Sequence, residues 1–120
     1  MKRQDELTSA EFELMQMLWS ADEPIKIQEL CDFPQNEWNY STIATMLTRM
    51  KEKGAVIAEK HGKTYFYSPA IDREHYTKAQ TQKLIEKLYN GSVKNLAASL
   101  FKNDGITKED IAELRQLLDE

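Results

Sequence analysis

A chain of 120 residues has room for one ordinary domain or two small ones, and 41% hydrophobic content is enough for a core. No apolar run approaches the ~20 residues of a membrane span, and the basic start Met1-Lys2-Arg3 lacks the apolar segment of a secretory signal. The single cysteine, Cys31, excludes an internal disulfide framework and suits a cytoplasmic protein, and a net charge of −4 excludes a broadly basic surface.

The first helix is signalled by Thr8-Ser9-Ala10-Glu11, a capping box, with Leu7 and Phe12 placed as a hydrophobic staple. Phe12, Met15, Leu18 and Trp19 make a wide apolar face, thickened by Leu14 and Met17. Asp22-Glu23-Pro24 breaks this helix. A short second helix runs over residues 25–33 with Ile27, Leu30 and Cys31 at i, i+3 and i+4, and Ile25 is placed to form a short edge strand before it. Trp38 precedes Asn39, the expected N-cap of a third helix, where an aromatic ring pins the entry angle.

Residues 39–67 organise the rest. Ile43, Met46, Leu47 and Met50 form one apolar stripe, and Gly54 stands where a left-handed C-terminal cap is wanted. Opposite the stripe, Ser41, Ala44, Thr45, Thr48 and Glu52 point away from the core, with Thr42, Arg49 and Lys51 on the flanks. Two β-branched and aromatic runs, 56–60 and 64–68, are expected to pair as a hairpin through His61-Gly62-Lys63. Three helices and a hairpin in this order are a winged helix-turn-helix, whose third helix enters a DNA major groove. Small hydroxyl side chains can lie against a groove floor and bond phosphates or base edges. Between Arg49 and Lys63 five basic residues (49, 51, 53, 60, 63) face two glutamates (52, 59), a local net of +3. Residues 1–70 hold 8 basic and 11 acidic side chains and residues 71–120 hold 8 and 9, so this segment is the candidate patch.

The expected fold is mainly α with a small β hairpin: a winged-helix DNA-binding domain over residues 1–70 and a helical domain over 71–120. In the latter, Asp72 caps a helix carrying Tyr76, Ala79, Leu84 and Leu88 on a stripe broken at Lys83, ended by Asn90-Gly91. Ser92 caps the next, with Val93, Leu96, Ala97, Leu100 and Phe101 in register, stopped by Asp104-Gly105. Thr107 to Asp110 forms a second capping box, with Ile106 and Ile111 as staple, ahead of the stripe Ile111, Leu114, Leu117 and Leu118. About fifty residues bury too little surface to be stable alone. A symmetric homodimer is the simplest partner for Tyr76, Leu84, Leu88, Leu96, Leu100, Phe101, Leu114 and Leu117. Folding back on the first module is the alternative.

Two histidines, His61 and His75, and one cysteine give no metal-ligand spacing, and there is no phosphate loop or nucleophile elbow. No metal, no cofactor and no enzymatic activity are expected. A winged helix that docks a protein rather than DNA is the rival reading, with the acidic balance as its support.

The segments AEFELMQMLW, TIATMLTRMKEKGAV, KTYFYSP, KLYNGSVKNLAASLF and EDIAELRQLLDE resemble the penicillinase-repressor family (BlaI/MecI/CopY) over nearly the whole chain. The resemblance implies a dimeric transcriptional repressor of a palindromic operator. It puts Tyr40, Ser41, Thr42, Thr45 and Arg49 on the recognition helix and Lys60 and Lys63 on the wing. Where the family commonly has a lysine and an arginine, this chain has Ser41 and Ala44. In the β-lactam branch, induction cleaves the helix matching residues 92–101 and involves a membrane sensor metalloprotease. The corresponding bond here joins Leu100 and Phe101, where the best-known members have an asparagine before the phenylalanine. The copper branch uses a C-terminal cysteine cluster, and no cysteine follows Cys31.

Overall fold

The computed structural model describes residues 6–102 and 105–118, with the side chain of Leu118 left out. The expectations for Met1-Lys2-Arg3, for Asp104 as part of a helix stop, and for Leu118 in the last stripe lie outside what is described. The elements follow in the order α1 (Ser9–Ser20), α2 (Ile27–Cys31), α3 (Tyr40–Glu52), β1 (Val56–His61), β2 (Thr64–Pro69), α4 (Arg73–Tyr89), α5 (Val93–Lys102) and α6 (Lys108–Leu118). They form two units, Met1–His75 and Tyr76–Glu120.

The first unit is built on α1 and α3. Thr8 caps α1 as expected: its hydroxyl accepts from the Glu11 N–H at 3.1 Å, and Glu11 accepts from the Thr8 N–H at 3.0 Å. Leu14, Met15, Met17 and Leu18 are almost completely buried, while Phe12 and Trp19 sit at the core margin, ring against edge at 5.9 Å. Asn39 accepts from the Thr42 N–H at 2.9 Å and so starts α3. At its end the Ala55 N–H donates to Met50 O and the Gly54 N–H to Lys51 O, the paired bonds of a Schellman motif. Gly54 has φ +82°, a value that costs a side-chain-bearing residue steric strain. Ile43, Leu47 and Met50 are fully buried and Met46 nearly so.

Helix α2 spans only Ile27–Cys31, two residues shorter than expected at each end, and Ile25 before it forms the expected edge pairing, a bridge to Tyr67. The reciprocal N–H to O bonds of that pair measure 2.9 and 2.8 Å and tie the wing's return strand to the chain before α2. The hairpin turn is also tighter than the three residues expected. His61 pairs with Thr64, which leaves Gly62-Lys63 as a two-residue loop, with Gly62 at φ +68°. Glycine at the first loop position is what a type II′ hairpin turn needs. Trp19 holds the exit from the wing: its indole N–H donates to Ile71 O at 3.0 Å, and the Arg73 guanidinium lies 5.7 Å from its ring.

The remaining helix signals behave as read. At the end of the first unit Asp72 accepts from the His75 N–H; in the second unit Ser92 accepts from the Asn95 N–H, and Thr107 and Asp110 exchange bonds at 3.0 and 3.1 Å. The stripe on α4 differs. Its one buried side chain is Ile85, absent from the expected set, while Leu84 and Leu88 are exposed. The Gly91 N–H reaches back to Ile85 O at 3.0 Å, so the helix-ending turn closes over this position. Helix α5 has no fully buried side chain.

One contact in the first unit has no counterpart in the pattern reading. Glu11, at 3% exposure, pairs with the Lys53 ammonium at 2.5 Å, and the same ammonium donates to Glu6 O at 3.1 Å. Burial alone pushes the Glu11 carboxyl up. The bond from Lys53, the bond from the Thr8 N–H and the charges of Lys53 and Arg49 outweigh it and hold the group below its ordinary value. Glu11→Gln is therefore expected to cost about 2–3 kcal/mol at neutral pH, less than a fully buried pair because about a quarter of Lys53 stays exposed. A lowered carboxylate pKa stabilises above the ordinary value of 4.5 and ceases to do so as pH falls through the folded-state value. Urea unfolding should show the gap between wild type and variant closing in acid; an equal gap at neutral and acid pH would rule out the ion pair as its source.

Candidate nucleic-acid interface

Burying the stripe of α3 dictates what the helix offers outward. At 3.6 residues per turn, Ser41, Thr45, Thr48 and Glu52 lie opposite the stripe. All four are exposed, as are Thr42, Arg49, Lys51 and, at 54%, Tyr40. Ala44 departs from the expectation: it is half-buried and packed against the core cluster. It stands on the flank of α3 rather than at the centre of the outward face, and a methyl group is small enough to tuck against the core there.

The hydroxyls of this face are already engaged. Thr45 and Thr48 donate to Ser41 O and Ala44 O, each at 3.0 Å, and Ser41 donates to the Asn39 carboxamide oxygen at 3.1 Å. With their protons used internally, Thr45 and Thr48 present lone pairs and methyl groups outward. Such groups suit amino donors and thymine methyls on base edges, not phosphate oxygens, which have no proton to give.

The charge is distributed more narrowly than the local count of +3 implied. Lys53 is withdrawn into the pair with Glu11, and Arg49 lies near enough to Glu11 to act on its titration. Four basic side chains then remain against two glutamates over the segment. On the wing, Lys60 and Lys63 are exposed. His61 is flanked by Glu59 at 3.6 Å and meets Phe66 edge-on at 5.5 Å.

The β1–β2 register sorts the wing into two faces. Val56, Ala58 and Lys60 stand opposite Pro69, Tyr67 and Tyr65 on one face; Ile57, Glu59 and His61 stand opposite Ser68, Phe66 and Thr64 on the other. The first face is buried at its base, at Val56, and opens toward the tip. There the Lys60 ammonium lies 5.7 Å from the Tyr65 ring. Tyr65 and Tyr67 were not singled out as site residues from sequence, because aromatic side chains in a strand read first as strand formers. Only the register, once the turn length is known, puts Tyr65 beside Lys60.

The expected dimerisation residues all fall in the second unit. Leu84, Leu88, Leu100, Phe101, Leu114 and Leu117 are exposed by 41–64%, while Tyr76 and Leu96 are half-buried. Among the described residues no group of His, Cys, Asp and Glu could hold a metal ion, and no helix is long and apolar enough to cross a membrane.

Comparison with known proteins gives this geometry a family. The penicillinase repressor family model matches residues 7–120. A penicillinase repressor of Bacillus licheniformis is 32% identical over 123 residues, covering 100% of this chain and 94% of that protein. The methicillin resistance regulatory protein MecI of Staphylococcus aureus is 27% identical over 118 residues, covering 94% of this chain and 93% of its own. Among solved structures, the DNA-binding domain of the repressor BlaI aligns over 61% of this chain and 90% of that one, with TM-score 0.49 and 35% identity. Mycobacterium tuberculosis Rv0081 shares the fold at TM-score 0.50 and 18% identity, over 69% of this chain and 80% of that one. With its helices and hairpin in winged-helix order and its length matched almost end to end, the chain belongs to the penicillinase repressor family.

Proposed function

We propose that this chain is a cytoplasmic transcriptional repressor that binds a palindromic operator as a homodimer and is released when its C-terminal helical unit is cleaved or loosened. The observation that carries the reading is the outward face of α3, where Ser41, Thr45 and Thr48 stand clear of the core with Tyr40, Thr42, Arg49 and Lys51 around them. Lys60 and Lys63 are exposed on the adjoining wing. The relatives' names, penicillinase repressor and methicillin resistance regulatory protein, support repression and speak for a regulator rather than an enzyme.

Base reading falls to the threonines and positioning to the cations. Thr45 and Thr48 accept from base amino groups or touch thymine methyls, while Arg49, Lys51, Lys60 and Lys63 neutralise phosphates. In a two-fold dimer the two α3 helices enter major grooves about one DNA turn, or a multiple, apart.

Dimerisation is supported by what the second unit leaves uncovered. Its described side chains include one buried residue, Ile85, against six exposed leucine and phenylalanine side chains on three helices. A second copy of the same segment would remove that surface from water. Release follows from the same feature. Helix α5 has no fully buried side chain in a single chain, only Leu96, Ala97 and Ser99 half-buried, so opening it locally costs little, and Leu100 and Phe101 are 41% and 53% exposed. A membrane sensor metalloprotease could then cut between Leu100 and Phe101, and the dimer would lose Leu96, Leu100 and Phe101 together.

Anisotropy of the purified protein with its upstream duplex and a scrambled control, across salt concentrations, tests the DNA reading. Lys63→Ala should weaken both complexes alike and reduce the slope of log K against log salt by about one for each chain bound. Thr45→Ala should instead cut the preference for the upstream duplex by roughly fivefold per half-site with the slope kept. Equal, weak binding to both duplexes by the wild type would promote a protein-docking role. For the dimer, Leu100→Asp is expected to yield a monomer in light scattering that keeps a folded N-terminal unit and binds operator about 100-fold more weakly. A variant that stays dimeric with normal affinity would refute the interface.

A further inference from the structure

The chain leaves the wing through a segment that is fastened at several points to the first unit. The Ala70 N–H donates to Ala55 O at 2.8 Å, and the Ala55 N–H donates in turn to Met50 O in the last turn of α3. One residue on, Ile71 O accepts from the Trp19 indole N–H at 3.0 Å. Trp19 and Ile71 are both half-buried against the core cluster, and Phe12 meets the Trp19 ring edge-on at 5.9 Å. Asp72 then caps α4 by accepting from the His75 N–H at 3.0 Å, and the Arg73 guanidinium lies 5.7 Å from the Trp19 ring. One indole thus holds both the chain just before α4 and the first residue of that helix. Covering the core margin does not require this: a phenylalanine at position 19 would fill the same place and leave Ile71 O to water.

The first unit ends at His75, so the first turn of α4 belongs to it, whereas the helix itself runs on to Tyr89. Its 17 residues, at ~1.5 Å each, make α4 about 25 Å long. A swing of about 10° at the held end would carry the other end about 4 Å, more than the ~3.4 Å rise of one base pair. In a dimer joined beyond His75, looseness at the start of α4 would become a spread in the distance between the two recognition helices. We infer that Trp19 is a positioning residue that sets the half-site spacing the dimer accepts. By fixing Ile71 and Arg73 it holds the direction in which α4 leaves the DNA-binding unit. The inference rests on the dimeric DNA-binding reading above and adds to it a determinant of operator geometry that touches no DNA. Avidity is kept only where both half-sites are engaged at once, so a stiff exit converts spacing into affinity.

The test measures anisotropy of the full chain on three kinds of DNA: the upstream duplex, the same duplex with base pairs inserted one at a time at its centre of symmetry, and a duplex holding one half-site. Each inserted pair separates the half-sites by ~3.4 Å and turns one against the other by about 35°. Wild type should lose about 100-fold in affinity within the first two insertions. Trp19→Phe keeps a ring against Phe12 and gives up only the N–H. It should narrow that loss to about tenfold, the worth of one such hydrogen bond, with its affinity for the single half-site within twofold of wild type. Arg73→Ala, at an exposed position that the core does not need, should narrow the loss about threefold and keeps the test open if Trp19→Phe fails to fold. Spacing profiles in the variants that match a steep wild-type profile would overturn the inference and leave the dimeric reading standing. An equal loss on the single half-site and the full duplex would also overturn it, because that is damage to the reading face. A wild type that tolerates every insertion would refute the dimeric reading and the inference with it.

Discussion

The burial of four side chains on one side of α3 is the constraint from which the rest of the first unit follows. Ile43, Met46, Leu47 and Met50 lose nearly all their exposure, at roughly 1.5–3 kcal/mol each. Rotating the helix by one residue position would put Thr48 and Lys51, or Thr42, Thr45 and Arg49, into the core. The outward face of α3 is thus dictated from inside, and the threonines owe their position to side chains they never touch. Both ends of the helix are held as firmly. Asn39 fixes the start, and the turn at Gly54 sends the chain directly into β1.

A second, local interaction decides how charge is used around that helix. Lys53 closes the last turn of α3 onto the start of α1 by pairing with Glu11, one residue after the helix ends. Desolvating a carboxylate is costly, and the Thr8 N–H and the Lys53 ammonium together offset that cost. The consequence for function is a smaller cationic patch than the composition of the segment suggests.

The two units show how differently buried and exposed patterns read. On α1 and α3 the apolar periodicity and the caps agree: the structure buries the whole stripe of α3 and, on α1, Leu14, Met15, Met17 and Leu18, with Phe12 and Trp19 only half-buried. On α4 the period is interrupted at Lys83, and the buried position falls on Ile85, where the helix-ending turn closes back. Small shifts elsewhere have the same origin. Ile25 forms the expected edge bridge, to Tyr67 forty-two residues away, and α2 starts only after it; the hairpin turn tightens because His61 pairs with Thr64 across a two-residue loop.

The sequence by itself determined the order of the elements, their caps and the apolar stripe of α3, because each rests on contacts within three or four residues or on a periodicity visible along the chain. It also marked the hydroxyl-rich face of α3 and the cations of the wing. Only the tertiary structure decided that Lys53 belongs to Glu11, that Ala44 packs inward, and that Tyr65 and Tyr67 face the same side as Lys60. These depend on which strands pair, in what register, and on which distant side chain shares a buried space. They are properties of the folded chain, set by packing and by the cost of leaving a buried charge without a partner.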